Sequence, residues 1–283
     1  MKHLVEDLKT AQAFATSWNN LPRGSIYSVE QFCEWMSPLI ASDVKGKEVL
    51  ELGCGNGSLA FHLVSWQPLR FKGVDLGDSV LSARKNLQDL QTNVHIEQAD
   101  LVQYQSDGYD LVYCIGVLHH LINPELGFQA ILRNTKPGGR FHIWVYAKEG
   151  NALVRYFVDP LRKIAATLPW WITKYCLATP LAIPFFFYSK FLKLAASISG
   201  LKAVVKLMPM SQYCLWIANR EFAFFRHVAF DQLVTPQTTY IEKRTVEKWL
   251  KNHSEIEQGS CYIIFRNENS WKFGGKKSLI SPL

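Results

Sequence analysis

The stretch Val49-Leu50-Glu51-Leu52-Gly53-Cys54-Gly55-Asn56-Gly57-Ser58-Leu59 passes from a short apolar strand pattern, through three alternating glycines, into the start of an apolar helical pattern. Only glycine takes positive φ without steric cost and lets bare backbone approach a ligand. A strand-to-helix turn of this kind therefore suits a nucleotide-like molecule. The spacing narrows the choice. A dinucleotide fingerprint, G-x-G-x-x-G/A, would place its third small residue at position 58, which is serine, whereas the third glycine here is Gly57. Glu51 stands two positions before the first glycine.

Four more strand patterns follow. Arg70–Asp75 reads as a second short strand ending in a carboxylate, which could accept from vicinal hydroxyls; a loop or helix-capping aspartate is the plainer alternative. Val94–Gln98 reads as a third, leading into Ala99-Asp100-Leu101. Tyr109–Gly116 is a near-continuous apolar run, as in a parallel strand covered on both faces, and leads into Val117-Leu118-His119-His120-Leu121. Asn123-Pro124 then supplies a cap and a first-turn proline for a helix over Glu125–Arg133. Lys136-Pro137-Gly138-Gly139 is read as a turn before a fifth strand, Phe141–Tyr146. This alternation predicts an α/β fold with a doubly wound, mostly parallel sheet.

Glu51, Gly53, Gly55 and Gly57 match E/D-x-G-x-G-x-G, the first motif of the class I S-adenosylmethionine-dependent methyltransferases. The chain resembles that family strongly over about residues 47 to 147, and weakly at its end. The resemblance extends to the small-molecule and quinone-type subgroup. It implies a seven-stranded Rossmann-like sheet, with S-adenosyl-L-methionine as cofactor and S-adenosyl-L-homocysteine as product. It also implies cofactor contacts from Glu51, Gly53, Cys54, Gly55, Asn56 and Gly57, from Asp75 and Leu76, from Ala99, Asp100 and Leu101, and from Cys114, Ile115 and Gly116. Asp100 would accept from the adenine amino group while its neighbour's backbone addresses the ring. N-terminal segments often close over the cofactor in related enzymes, so Trp18 and Tyr27, in the loop Ser17–Tyr27, are candidates for that role.

Methyl transfer from such a donor requires mainly that a nucleophile be aligned and water excluded. A general base helps when the acceptor is a hydroxyl of high pKa. His119 and His120 follow the fourth strand at the carboxyl edge, where open parallel sheets bind ligands; one of them could be that base, with capping or packing as the alternative. Leu-His-His-Leu is common in methyltransferases of quinones and other small molecules, and occurs in some that modify the tRNA wobble base. Tyr146 and Tyr240 could touch substrate or simply pack at the rim. His62, His95 and His142 fall within predicted elements and read as structural. No H-E-x-x-H motif or acidic cluster is present, so no metal is expected.

With 283 residues, 48% apolar and 19% charged, the chain is neither disordered nor short of core-forming residues. Its six cysteines include no C-x-x-C pair, which suggests a reducing, cytoplasmic setting; the N-terminus does not read as a secretory signal. Four parts are expected: an N-terminal helical cover over 1–46, the cofactor-binding core over 47–147, a helical insertion over 148–229, and a C-terminal loop, helix and closing strands over 230–283. A capping box at Ser28–Gln31 opens a helix in the cover. Ser260–Arg266 reads as the last strand, with Ser254–Glu257 the only candidate for the one before it.

The insertion carries the charge. Pro160–Arg220 holds eight basic residues and no Asp or Glu, while the rest of the chain has 23 basic against 24 acidic groups. It is also aromatic, with Trp170-Trp171 and Phe185-Phe186-Phe187-Tyr188. Its uncharged run, Tyr175–Ser189, has 15 residues and two prolines, short of the about 20 needed to span a membrane, so a spanning helix is not expected. Residues 160–220 instead suit peripheral contact with an anionic membrane or a lid over a lipid-like substrate, with an ordinary packed subdomain or homodimer interface as alternative. Nucleic acid fits less well, because the segment is greasier than a solvated phosphate groove. The function expected is methyl transfer to an O or C atom of a small acceptor; an RNA methyltransferase and a non-catalytic cofactor-binding partner subunit are the alternatives.

Overall fold

The computed structural model describes residues 2–19, 27–90, 93–165 and 167–279. The chain opens with helices α1 (Lys2–Asn19), α2 (Val29–Met36) and α3 (Ala41–Val44), followed by β1 (Glu48–Leu52) and α4 (Ser58–Leu63). Next come β2 (Arg70–Asp75), α5 (Ser79–Leu87), β3 (Val94–Gln98), β4 (Tyr109–Ile115), α6 (Pro124–Asn134) and β5 (Thr135–Tyr146). After β5 a run of helices follows: α7 (Asp159–Ala165), α8 (Trp170–Ile172), α9 (Thr179–Ser197), α10 (Lys202–Leu207), α11 (Ser211–Ile217) and α12 (Phe222–Val234). The chain ends with α13 (Lys243–Asn252), β6 (Ile256–Arg266) and β7 (Ser270–Lys277).

These elements divide into two compact units. The first comprises Met1–Tyr146, Gln237–Ile264 and Trp271–Leu283; the second comprises Ala147–Pro236 and Phe265–Ser270.

The first unit is built on a seven-stranded sheet of order β3-β2-β1-β4-β5-β7-β6, in which β3, β2, β1, β4 and β5 pair in parallel. The order reverses between β1 and β4, which opens a crevice at their carboxyl ends. β1 and β4 are almost wholly buried, as their apolar runs require. Phe32, Met36, Val49, Leu63, Phe71, Leu111 and Tyr113 form one core cluster between α2, α4 and the sheet. The capping box at Ser28 is present, with Gln31 N donating to Ser28 Oγ and Ser28 N to Gln31 Oε1.

The closing strands differ from the sequence reading. Ile256 to Arg266 forms one strand, β6, and a further strand, β7, follows it and inserts between β5 and β6. The three-residue link between them admits only a hairpin. β7 is hard to read as a strand because Gly274-Gly275 and its lysines resemble a polar tail. Packing demands the first glycine: a Cβ on Gly274 would lie 2.3 Å from Phe141 O and 2.5 Å from the Tyr262 hydroxyl. At the other end of the chain, Ser17, Trp18 and Asn19 continue α1 instead of entering a loop. β5 begins at Thr135, so Lys136–Gly139 belongs to the strand, with an irregular register against β4 at Tyr109–Leu111.

The second unit is helical, with three small apolar clusters. One is built on Ala165, Ala178, Phe230 and Leu233, a second on Leu192, Ala195, Val205 and Cys214, and a third on Ala182, Ile217 and Phe225. Arg162 is buried there, bonded to Asp159 at 2.8 Å and to Gln232 O at 2.6 Å. The proline-bearing run does not break: Trp170–Ser197 is a 28-residue helical stretch, long and apolar enough by composition to cross a membrane. It exceeds the uncharged run because the helix passes through Lys174, Lys190 and Lys193. Pro180 and Pro184 are both carried inside this stretch, Pro180 just after a π-helical segment, Thr173–Ala178, whose wider turn accommodates the interruption.

Candidate active site

The glycine turn leaves β1 and folds onto the end of β2. Gly53 N and Cys54 N both donate to Val74 O, at 2.7 and 3.0 Å. Gly53, Gly55 and Gly57 have φ of 84°, 52° and 78°, the left-handed region the motif demands. Two of these glycines face different surroundings. A Cβ on Gly53 would sit 2.3 Å from Val117 Cγ2, so its side is closed, whereas one on Gly55 would meet no atom of the described residues within 4 Å. Open space therefore lies beside the backbone of Gly55. Asn56 braces the turn, its Oδ1 accepting from Ser58 Oγ at 2.6 Å and its O from Asn86 Nδ2 at 3.0 Å.

Asp75, at the end of β2, organises the loops around that space. Its carboxylate accepts from Gly55 N at 2.8 Å, Gly77 N at 2.9 Å and Ser79 Oγ at 2.9 Å. The Leu76 N–H is a further donor, so about four acceptor positions of this carboxylate are taken up within the protein. Burial raises the Asp75 pKa, against the lowering effect of these hydrogen bonds. The next loop is tied in by Ala99 N, which donates to Asp75 O at 2.9 Å, and Gln98 Nε2, which donates to Leu76 O at 3.2 Å. Asp100 accepts from Val102 N at 2.9 Å and Gln103 Nε2 at 3.0 Å, leaving each oxygen further capacity. Leu101 is buried beside it.

Glu51 is buried under the turn, where Tyr113 Oη donates to it at 2.9 Å. Desolvation pushes its carboxyl up to about 8, with the nearby Asp75 charge adding to the effect. Burial likewise pushes the Cys54 and Cys114 thiols well up, which makes neither a thiolate nucleophile. Ile115 is half-buried beyond Cys114, and Gly116 N closes the end of β4 on Trp144 O at 3.0 Å.

The two histidines and two tyrosines singled out in the sequence meet at the carboxyl ends of β4 and β5. His119 is buried; its ring centroid lies 4.2 Å from those of both His120 and Tyr146. Tyr146 in turn stacks on Tyr240 at 6.2 Å, and Ile241 N donates to Tyr146 O. The backbone donor Tyr146 N points at His119 Nδ1, at 3.3 Å, so in the neutral ring Nε2 carries the proton. His120 is the reverse. Its Nδ1 faces the carbonyl oxygen of Gln237 at 3.0 Å and must donate to it, which leaves Nε2 as the basic nitrogen. In their neutral forms the adjacent histidines thus present opposite tautomers, with Thr238 Oγ1 also 3.3 Å from His120 Nδ1.

Three further contributors were not apparent from the sequence. α1 lies over the crevice edge: Phe14 stacks 4.9 Å from His120, Asp7 Oδ1 accepts from Ile122 N, and a Cβ on Gly77 would lie 2.8 Å from Ala11 O. Trp144 reaches the cluster at 5.8 Å from His119 and 5.2 Å from Tyr146. Trp35 on α2 lies 6.1 Å from Trp144. The Nε1–H groups of both tryptophans are buried without a hydrogen-bond partner among the described residues. No spacing rule flags such donors. As for the two proposed covers, Tyr27 packs edge-on to Trp35 at 4.7 Å, and the side chain of Trp18, with residues 20–26, lies outside the described residues.

A family model described as a methyltransferase domain matches residues 50–141, the segment that carries the glycine turn, Asp75, Asp100 and both histidines. Over residues 50–141 the core is thus similar to methyltransferase domains. Among curated relatives of the domain, the ubiquinone biosynthesis O-methyltransferase of Pseudomonas savastanoi pv. phaseolicola is 31% identical over 100 residues, covering 34% of this chain and 42% of its own. An uncharacterised protein of Synechococcus sp. is 30% identical over 140 residues, covering 47% of this chain and 33% of its own. The chain thus spans well under half the length of these relatives. Among solved structures, the N-methyltransferase NodS of Bradyrhizobium japonicum in complex with S-adenosyl-L-homocysteine is 18% identical and covers 53% of this chain and 78% of its own, with a TM-score of 0.45.

The residues around the methyltransferase turn fit the cofactor chemically. Gly55 leaves room for a ligand against its backbone, and Asp100 retains acceptor positions for an amino donor.

Proposed function

We propose that this chain transfers a methyl group from S-adenosylmethionine to an oxygen or carbon of a small, lipid-like or quinone-like acceptor. One observation carries the reading: the open face of the Gly55 turn and the His119–His120–Tyr146–Tyr240 cluster occupy the carboxyl edge of the same sheet. The cofactor, when bound, supplies an activated methyl group, so the protein need provide no covalent nucleophile. Asp100 would hold the amino group of the cofactor, and Asp75, bonded to Gly55 N, Gly77 N and Ser79 Oγ, would hold the surrounding loops in place. His120 Nε2 would take the proton from an acceptor hydroxyl, because Gln237 O holds the other ring proton in place. His119, with Nδ1 occupied by Tyr146 N, would hold the neighbouring rings of His120 and Tyr146 in place, each 4.2 Å away. Trp144 and Trp35 add buried N–H donors, which suit carbonyl or phenolic oxygen. The similarity to ubiquinone biosynthesis O-methyltransferases over the core supports an oxygen acceptor.

The test is label transfer from methyl-labelled S-adenosylmethionine into cell extract, partitioned into organic-soluble, RNA, protein and aqueous pools. Label in the organic pool is expected. With that acceptor His120→Gln should lower kcat by about 100-fold or more, in line with the loss of a general base, with little change in cofactor Kd. Label confined to RNA, or none despite cofactor binding, would refute the small-acceptor reading.

A further inference from the structure

The second unit exposes a continuous apolar stripe that its own packing does not use. On the inner side of α9, Ala182, Ser189, Leu192 and Ala195 are buried. Lys190 Nζ fastens the helix by donating to Ala218 O and Arg220 O. On the outer side, Ile183, Phe187, Phe191 and Leu194 recur at intervals of four, four and three, one line along the helix, and Ile198 follows directly after its end. All five are exposed, Phe187 at 66%, Phe191 at 60% and Leu194 at 66%. Trp171 and Tyr175, earlier in the same helical stretch, are exposed as well. A helix that is apolar all round belongs in a core or in lipid, and a soluble core would bury most of it. Only 22% of the most apolar window of Trp170–Ser197 is buried.

We propose that this face docks in the plane of an anionic lipid bilayer, with the stripe seated at the boundary between headgroups and acyl chains. Charge complementarity selects that occupant. Lys163, Lys193, Lys202 and Lys206 are exposed in the same unit, and no carboxylate occurs between Pro160 and Arg220. Lysines beside an apolar, aromatic stripe are the composition of interfacial helices. A second copy of this chain would bring two cationic surfaces together with no acidic groups from this segment to offset them. Nucleic acid would leave the row of Phe, Leu and Ile without a partner. In-plane docking, unlike spanning, also preserves the contacts of the inner stripe and the anchorage of Lys190. The proposal does not depend on the methyl-transfer reading.

The experiment is flotation of the full chain with vesicles of phosphatidylcholine alone or with about a third phosphatidylglycerol, at low and high salt. The chain should float with the anionic vesicles and be partly released by salt. The triple variant Phe187→Glu/Phe191→Glu/Leu194→Glu should bind about 100-fold more weakly, because apolar surface is replaced by repelled charge. Lys202→Glu/Lys206→Glu should lose about tenfold or more on anionic vesicles and leave binding to neutral ones unchanged. Far-UV circular dichroism checks folding; if the triple variant does not fold, Phe187→Ser takes its place, with a loss of about tenfold expected. Wild-type protein that stays soluble with both vesicles, or a folded stripe variant that floats like wild type, overturns the proposal. So does a wild-type dimer that the stripe variant converts to monomer while neither binds vesicles.

Discussion

His142 ties α2 to the sheet behind the candidate acceptor wall, and its ionisation should set how the fold tolerates acid. Its buried imidazole faces Trp35 O through Nε2 at 2.8 Å and the Tyr262 hydroxyl through Nδ1 at 2.6 Å. A carbonyl can only accept, so Nε2 carries the proton and Nδ1 receives the Tyr262 hydroxyl in the neutral ring. Desolvation lowers the pKa from 6.5 to about 4, and the nearby Lys272 charge lowers it further. Because the folded pKa is depressed, the unfolded chain takes up the proton first. Stability that is fully present above about pH 6.5 is lost as the pH falls towards 4. Linkage gives a loss of about 1 kcal/mol by pH 5.5 and about 2 to 3 kcal/mol by pH 4.5. The variant His142→Gln retains polar groups for both partners but cannot titrate. Urea unfolding of wild type and variant at pH 7.5, 5.5 and 4.5, pH values chosen about this window, isolates the effect, because the other titrating groups are shared. The wild-type advantage should shrink or reverse on acidification by about those amounts. A difference that stays constant across the series would refute the assignment.

Two further outcomes follow from the glycine turn and its buried acid. Gly53→Ala should destabilise by about 3 kcal/mol, because its Cβ overlaps Val117 and φ is unfavourable; Gly55→Ala should cost only about 1 to 2 kcal/mol yet weaken S-adenosylmethionine binding at least tenfold. Thermal melts with titration calorimetry separate the two, and equal effects on stability would contradict the open face at Gly55. For Glu51, the raised folded pKa means that stability is fully present below about pH 4.5 and lost as the pH rises through about 8. Glu51→Gln should therefore melt near the wild-type temperature at pH 4.5 and above it at pH 9, and a shift independent of pH would exclude a buried, titrating Glu51.

Much of this fold was legible because its signals are local. Gly53, Gly55 and Gly57 need positive φ for reasons contained in their own backbone, and Asn123-Pro124 caps a helix by its own chemistry. β7 failed the same reading because its pattern is set from outside: Gly274 is glycine on account of Phe141 O and the Tyr262 hydroxyl, both distant in sequence. The helix through Pro180 and Pro184 was missed for a related reason. A count of uncharged residues stops at a lysine, but a helix does not when, as at Lys190, backbone carbonyls elsewhere take the charge. In the site, sequence brought forward His119 and His120 equally. Their opposite tautomers come from Tyr146 N and Gln237 O, contacts that only the fold brings into place.

The buried donors left without partners bear on the kind of acceptor. A buried N–H that makes no hydrogen bond costs about 1 to 3 kcal/mol, and native interiors leave few of them. Among the described residues, Trp35 Nε1 and Trp144 Nε1 are both in this state, on rings 6.1 Å apart, and Gln31 Nε2, one helical turn before Trp35, is a third. Trp144 meets His119 and Tyr146, so its donor adjoins the histidine–tyrosine cluster. An amine acceptor would bring more donors to a wall already rich in them. Carbonyl, phenolic or carboxyl oxygens would satisfy it, and His120 would then serve the one hydroxyl that must lose its proton. His142 Nε2, by holding Trp35 O, fixes α2 against β5 and so keeps that wall in register. On the proposed reading, acid that ionises His142 should loosen the same wall and weaken acceptor binding over the pH range in which stability falls.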